Sequence, residues 1–184
     1  MANRIYNYAA FYVKEPFKET NLGANLAHDF VYYNTLRMWK GADSSFPFYD
    51  AHGTTYQVRD GSLWSTLKYR LHERLDNSKN IILFLSSNTR QSDALKEVID
   101  YGMCTLGLPV IVVYPDYSLN TSIADGSDQR QCIKDLWDNL PIFRDNMSSV
   151  PTAHVPMNKE FVMKALNDSD FSINGKTKNY RWCY

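Results

Sequence analysis

The sequence predicts an α/β fold with a central, mainly parallel sheet flanked by helices, and three observations carry that expectation. Two runs, Ile81–Leu85 and Leu108–Tyr114, are continuously apolar, as strands buried on both faces of a parallel sheet are. Other segments place apolar residues at helical spacing. Strand-like and helix-like segments alternate about five times, the pattern of βαβ units whose right-handed crossovers put helices on both faces.

Each element follows from local chemistry. Arg4–Val13, rich in Tyr, Phe, Val and Ala, reads as a first strand closed by the Lys14-Glu15-Pro16 break. From Asn25 to Lys40, Leu26, Phe30, Tyr33, Leu36 and Trp39 mark a helix, with Asn25 as its cap and Gly41 at its end. Phe46–Tyr49 reads as a short second strand, followed by a polar loop containing Tyr56-Gln-Val-Arg-Asp60. Ser62–Leu75 is a helix with Leu63, Leu67, Leu71 and Leu75 four apart and Ser62 as cap. The Ile81–Leu85 strand comes next, then a helix from about Gln91 to Leu106, which Gly107 terminates. After the strand ending at Tyr114 comes a polar loop, Tyr117–Ser127, and a helix over Asp128–Asn139. Thr152–Val155 reads as the final strand, and Asn158 caps the last helix, before a polar stretch and an aromatic tail.

Composition narrows the function. With 44% hydrophobic and 22% charged residues the chain is ordinary globular material, not disordered. Twenty basic residues balance twenty acidic ones, so no net charge draws it to nucleic acid or an anionic membrane. Thirteen Tyr, nine Phe and four Trp could build a binding site or a core. Cys104, Cys132 and Cys183 are widely spaced, with no Cys-x-x-Cys pair to suggest zinc or redox chemistry, and Cys104 reads as a core residue. The N-terminus lacks the layout of a signal peptide, and no run approaches the roughly 18 apolar residues of a membrane span. A soluble cytoplasmic protein is expected.

Ligands in open α/β sheets bind beyond the carboxyl ends of the strands. The Ile81–Leu85 strand ends there in Ser86-Ser-Asn-Thr89, whose groups could bond a ribose or phosphate, or could simply cap a helix through Asn88 or Thr89. Glu97, on the following helix, is a candidate carboxylate for acid–base or nucleophilic work, or a solvated surface residue. Arg59 could pair with phosphate beside Asp60, and Trp64 could stack on a base or pack in the core. Tyr8, Phe11 and Tyr12, near the end of the first strand, could line the same cleft. The four histidines show no metal spacing and read as structural or surface residues. Neither a Gly-rich phosphate loop nor a G-x-S-x-G elbow is present.

Several of these segments together resemble TIR-like proteins. They are the first strand, Tyr56-Gln-Val-Arg-Asp60, Leu67-Lys-Tyr-Arg-Leu-His-Glu-Arg-Leu75, Ser78–Thr89, Glu97 with Ile99-Asp-Tyr-Gly102, and Leu108–Pro115. More narrowly, the chain resembles the TIR-like signalling subunits of the bacterial Thoeris anti-phage system. The resemblance covers about residues 4–116 well and His154-Val-Pro-Met157 with the terminal helix more loosely, within a single domain over 1–184 whose C-terminal elements and tail are 117–184. It implies a flavodoxin-like, three-layer TIR fold that cleaves NAD at the nicotinamide–ribose bond. The expected product is a cyclic ADP-ribose isomer or related ADP-ribose conjugate, sensed by a separate effector protein. A phage-derived activator and a homo-oligomer are further possible partners; NAD is substrate, and no cofactor or metal is expected. The essential TIR glutamate maps to Glu97. The common Ser-x-Trp-Cys-x-x-Glu pattern places Glu six residues after Ser, whereas Ser92 and Glu97 are five apart and Val98 holds the six-spaced position. Asp93 and Asp100 are the neighbouring acids. Two other readings stay open: a TIR-type scaffold without catalysis, and a nucleoside deoxyribosyltransferase-like enzyme.

Overall fold

The computed structural model describes residues 4–12, 28–52, 64–175 and 181–183. Along the chain lie β1 (Tyr6–Ala10), α1 (His28–Ala42), α2 (Trp64–Asp76), β2 (Ser78–Phe84) and α3 (Asp93–Glu97), which runs directly into a π-helix (Val98–Thr105). There follow β3 (Val110–Tyr114), α4 (Asn120–Ile123), β4 (Ala124–Asp125), β5 (Asp128–Gln129), α5 (Gln131–Trp137) and α6 (Pro141–Asn146). β6 (Thr152–Pro156), α7 (Lys159–Asn167), a 3-10 turn (Ser169–Phe171) and β7 (Arg181–Cys183) complete the order.

The main sheet is parallel throughout, in the order β1-β2-β3-β6-β7. A parallel bridge between Asn7 and Asp50 extends it beyond β1. The chain therefore steps outward from β1 to the Asp50 edge, then returns to the other side of β1 as β2. That reversal makes the carboxyl ends of β1 and β2 the topological switch point, where such sheets bind ligands.

Continuous apolar strands follow from helices on both faces. Ile81, Leu83, Val110 and Val112 pack with Leu71 and Leu75 of α2, Val98 and Met103 of the π-helix, and Phe143 of α6. Their neighbours Ile82, Phe84, Ile111 and Val113 pack with Tyr33 and Leu36 of α1 and Val162 and Ala165 of α7 on the other face. Alternate residues point to opposite faces, so a strand covered twice cannot carry a polar stripe. The three-layer α/β fold is as the sequence predicts.

Several details differ. The cap of α3 is Ser92, whose side chain accepts from the Leu95 N–H; Asn88 and Thr89 belong to the preceding turn. Asn158 does cap α7, accepting from the Glu160 N–H. The Phe46–Tyr49 segment, read as a possible strand ending in Asp50, meets the sheet only at that end, where Asp50 makes a single parallel bridge to Asn7 of β1. Residues 120–129, expected as loop and helix start, instead form α4 and a small antiparallel hairpin turning at Gly126, so α5 begins at Gln131. Thr152–Pro156 is not the last strand, since β7 from the aromatic tail pairs beside it. Cys104 is exposed, not core, because it lies with Thr105 on the outer side of the π-helix, opposite the buried Gly102 and Met103. Asn25 and Ser62 lie outside the described residues. Among the described residues no helix is long and apolar enough to cross a membrane.

The π-helix shapes the site. Its last turn bonds five residues back, Leu106 N–H to the Tyr101 carbonyl at 2.9 Å, and Gly102 lets it press on the sheet. A Cβ at Gly102 would lie 2.8 Å from Ile81 Cδ1. Gly107, at φ 67°, then turns the chain into β3. That left-handed conformation costs a residue with a Cβ about 1–2 kcal/mol. Gly107→Ala should therefore lower unfolding free energy by about 1 kcal/mol in denaturant melts; an unchanged midpoint would contradict this account of the turn.

Candidate functional site

The switch-point crevice is framed by a buried carboxylate. Asp29, in the first turn of α1, is 1% exposed. Its Oδ1 accepts from the Ser86 hydroxyl at 2.8 Å. Its Oδ2 accepts from the Thr89 hydroxyl at 3.1 Å and the Tyr12 N–H at 3.2 Å. One side chain thus ties α1, the end of β1 and the turn after β2. Desolvation pushes the Asp29 carboxyl upward, the three hydrogen bonds hold it back, and nearby Asp116 adds to the rise, which prevails.

This fixes what the Ser86–Thr89 turn can offer. Ser86 and Thr89 are fully buried and their hydroxyls face Asp29. The turn's N–H groups are also engaged: Ser86 to Thr89 Oγ1, Asn88 to Ser86 Oγ, Thr89 to the Ser86 carbonyl, and Ser87 to Asp116 at 2.8 Å. A turn with carboxylates on both sides and no spare N–H is a poor phosphate cradle. Ser87 and Asn88 are its solvent-facing members.

On the β1 side, Phe11 stacks on Tyr33 at 5.5 Å, and Tyr8 lies 4.8 Å from the His52 ring. His52 Nε2–H donates to the Ala9 carbonyl at 2.9 Å while Nδ1 accepts from Arg74 at 3.2 Å. Burial, reinforced by the Arg74 charge, drives its pKa down to about 4, so it stays neutral. Burial likewise pushes the Tyr8 hydroxyl up to about 12. Tyr8 is therefore largely a core residue, whereas Phe11 and Tyr12 remain partly open. Trp64, first residue of α2, is 40% exposed. Arg59 and Asp60 lie outside the described residues.

Glu97 sits in the groove between α2 and α3, about 6 Å down the axis from the start of α3. Its side chain is 15% exposed. His72 Nε2–H donates to Oε1 at 2.8 Å, and Lys68 Nζ reaches the same oxygen at 2.9 Å. No described residue donates to Oε2. Desolvation raises the carboxyl, but the His72 and Lys68 bonds outweigh it and hold Glu97 below the ordinary carboxyl range. It is a charged carboxylate at neutral pH, and among the described residues its second oxygen has no donor. Val98, in the six-spaced position, is buried in the core, where a charge would be costly, and Asp93 and Asp100 are exposed. Of the three acids, Glu97 alone is both sheltered and held by Lys68 and His72.

Sequence reasoning overlooked Asp29, Lys68 and His72. The i, i+4 pair Lys68/His72, one position along from the Leu67/Leu71 stripe, was the available signal for two of them. Among the described residues no cluster of His, Cys, Asp or Glu could hold a metal ion.

A family model described as Thoeris protein ThsB, TIR-like domain, matches residues 8–120, more than half of the 184-residue chain. The matched span includes the last three residues of β1, the switch-point turn, Glu97 and β3.

Two outcomes follow from this geometry. Asp29→Ala strands three donors, so it should cost about 2–3 kcal/mol in denaturant unfolding and speed amide exchange over residues 86–89; wild-type stability would refute the clamp. Glu97 has a lowered folded pKa, so its stabilising contribution is complete above the ordinary carboxyl range and lost as pH falls through the folded value. Acid melts of Glu97→Gln should show a shallower loss below about pH 4 than wild type; parallel curves would show that the α2–α3 contact contributes nothing.

Proposed function

The chain belongs to the Thoeris ThsB TIR-like family, and from that premise we propose that it consumes NAD by cleaving the nicotinamide–ribose bond. In this reading the ADP-ribosyl part becomes a cyclic ADP-ribose-type signal, or a related conjugate, which activates a separate anti-phage effector in the cytoplasm. A phage-derived activator switches it on, with or without self-assembly of the chain.

The observation that supports this most is the state of Glu97: sheltered, ionised and anchored through Oε1, with no described residue donating to Oε2. Nicotinamide leaves as a neutral molecule when the electrons of the C–N bond pass to its ring nitrogen, so little acid catalysis is needed. The demand falls on the positive charge left on the ribose. An ionised carboxylate meets it, either by stabilising an oxocarbenium-like transition state or by attacking to form a covalent intermediate, as retaining glycosidases do. A carboxyl with a depressed pKa suits this role and not that of an acid. The partly exposed Trp64 offers a ring for the base, Phe11 and Tyr12 a wall, and Ser87 and Asn88 polar contacts for the sugar, with Arg59 and Asp60 as further candidates. A site closed to bulk water would let an internal nucleophile compete with hydrolysis.

Incubation of the full chain with NAD, with and without lysate of phage-infected cells, followed by mass spectrometry, should reveal nicotinamide and an ADP-ribosyl product. Glu97→Gln should reduce nicotinamide release by about 100-fold or more at a similar melting temperature, while Asp93→Asn and Asp100→Asn remain active. Undiminished turnover by Glu97→Gln would remove the assignment.

A further inference from the structure

The contact between Glu97 and His72 has a second side. Because Glu97 is ionised, the proton in the 2.8 Å contact belongs to His72 Nε2. A neutral imidazole protonated at Nε2 keeps its lone pair on Nδ1. No described residue donates to that nitrogen, and the His72 side chain is 25% exposed, more open than Glu97 beside it. The ring is held in plane by Tyr101, stacked at 3.5 Å with an interplanar angle of 7°. Tyr101 is itself anchored by its hydroxyl, which donates to Asp76 at 2.9 Å. A carboxylate orienting an imidazole whose other nitrogen is open is the arrangement by which a histidine is prepared to accept a proton.

The reaction proposed above has a proton to place. As the C–N bond breaks and its electrons leave with nicotinamide, a water or sugar hydroxyl forms a new C–O bond at the anomeric carbon and must shed its hydrogen. Resting on the NAD-cleavage reading, we propose that His72 is the general base for that hydroxyl. Nδ1 takes the proton as the C–O bond forms, and the resulting imidazolium is paired with Glu97 through Nε2–H. Glu97 then serves both partners, with Oε1 turned to His72 and Oε2 to the ribose. The charged and titratable groups around His72 are Glu97 and Tyr101 from the facing helix and Lys68 and Asp76 on its own.

The test is kcat and KM for NAD in the full chain, wild type against His72→Ala and His72→Gln. Glutamine can still donate to Glu97 but cannot take a proton, so it separates a base from a prop. Both variants should lose about 100-fold in kcat with KM little changed. Added imidazole should restore part of the rate to His72→Ala. Near-wild-type kcat in His72→Gln, or no rescue of His72→Ala by imidazole, would overturn the proposal. If Glu97→Gln is inactive while His72→Gln is active, only the role of His72 falls. If wild type releases no nicotinamide under any condition, the NAD reading falls and this inference with it.

Discussion

The crevice at the carboxyl edge of the sheet depends on a buried charge that the fold cannot leave unpaired. Asp29 sits at 1% exposure beneath the switch point. An isolated carboxylate there would cost several kcal/mol, so the surrounding chain must supply donors. It does so from two places that are distant in sequence, the Tyr12 N–H at the end of β1 and the hydroxyls of Ser86 and Thr89 after β2. Satisfying one side chain thereby sets the spacing of the two strand ends. It also turns the hydroxyls of Ser86 and Thr89 inward, leaving Ser87 and Asn88 as the exposed members of the turn.

A second consequence follows on the α2–α3 side. The π-helix widens the turn that begins after Glu97, and Gly102 lets this wider helix lie against Ile81 and Leu75 without a clash. Val98 then faces the core, while Glu97 and Tyr101, four residues apart, both meet His72. The five residues from Ser92 to Glu97 span the cap and regular α-helix, and the change of pitch begins one residue later, at Val98. Packing decides which residue of the pair faces the groove, and the hydrogen bonds from α2 set its charge.

Much of the fold was legible because its physics is local. β2 and β3 are apolar throughout since both faces are covered, and the Leu67/Leu71/Leu75 stripe of α2 marks its buried side. Asn158 reads as a cap because nothing else competes for its side chain. Asn88 and Thr89 misled because Thr89 is claimed by Asp29, a partner 60 residues away, which leaves the capping of α3 to Ser92. The π-helix was invisible because it rests on the missing Cβ of Gly102 meeting a strand and a helix. Likewise His72 looks ordinary in sequence, since its meaning comes from Glu97, 25 residues on. β7 escaped notice because three residues at a sheet edge carry too little pattern to distinguish a strand from a tail.

The central claim is that the groove holding Glu97 and the crevice framed by Asp29 act as one site on one substrate. The most direct measurement is a crystal structure of Glu97→Gln with NAD bound. The account predicts the anomeric carbon of the nicotinamide ribose about 3–3.5 Å from the residue-97 side chain, with the rest of the dinucleotide running toward the Ser87–Asn88 face of the turn. A ribose seated out of reach of both residue 97 and His72, with those groups still sealed against Lys68, would contradict it.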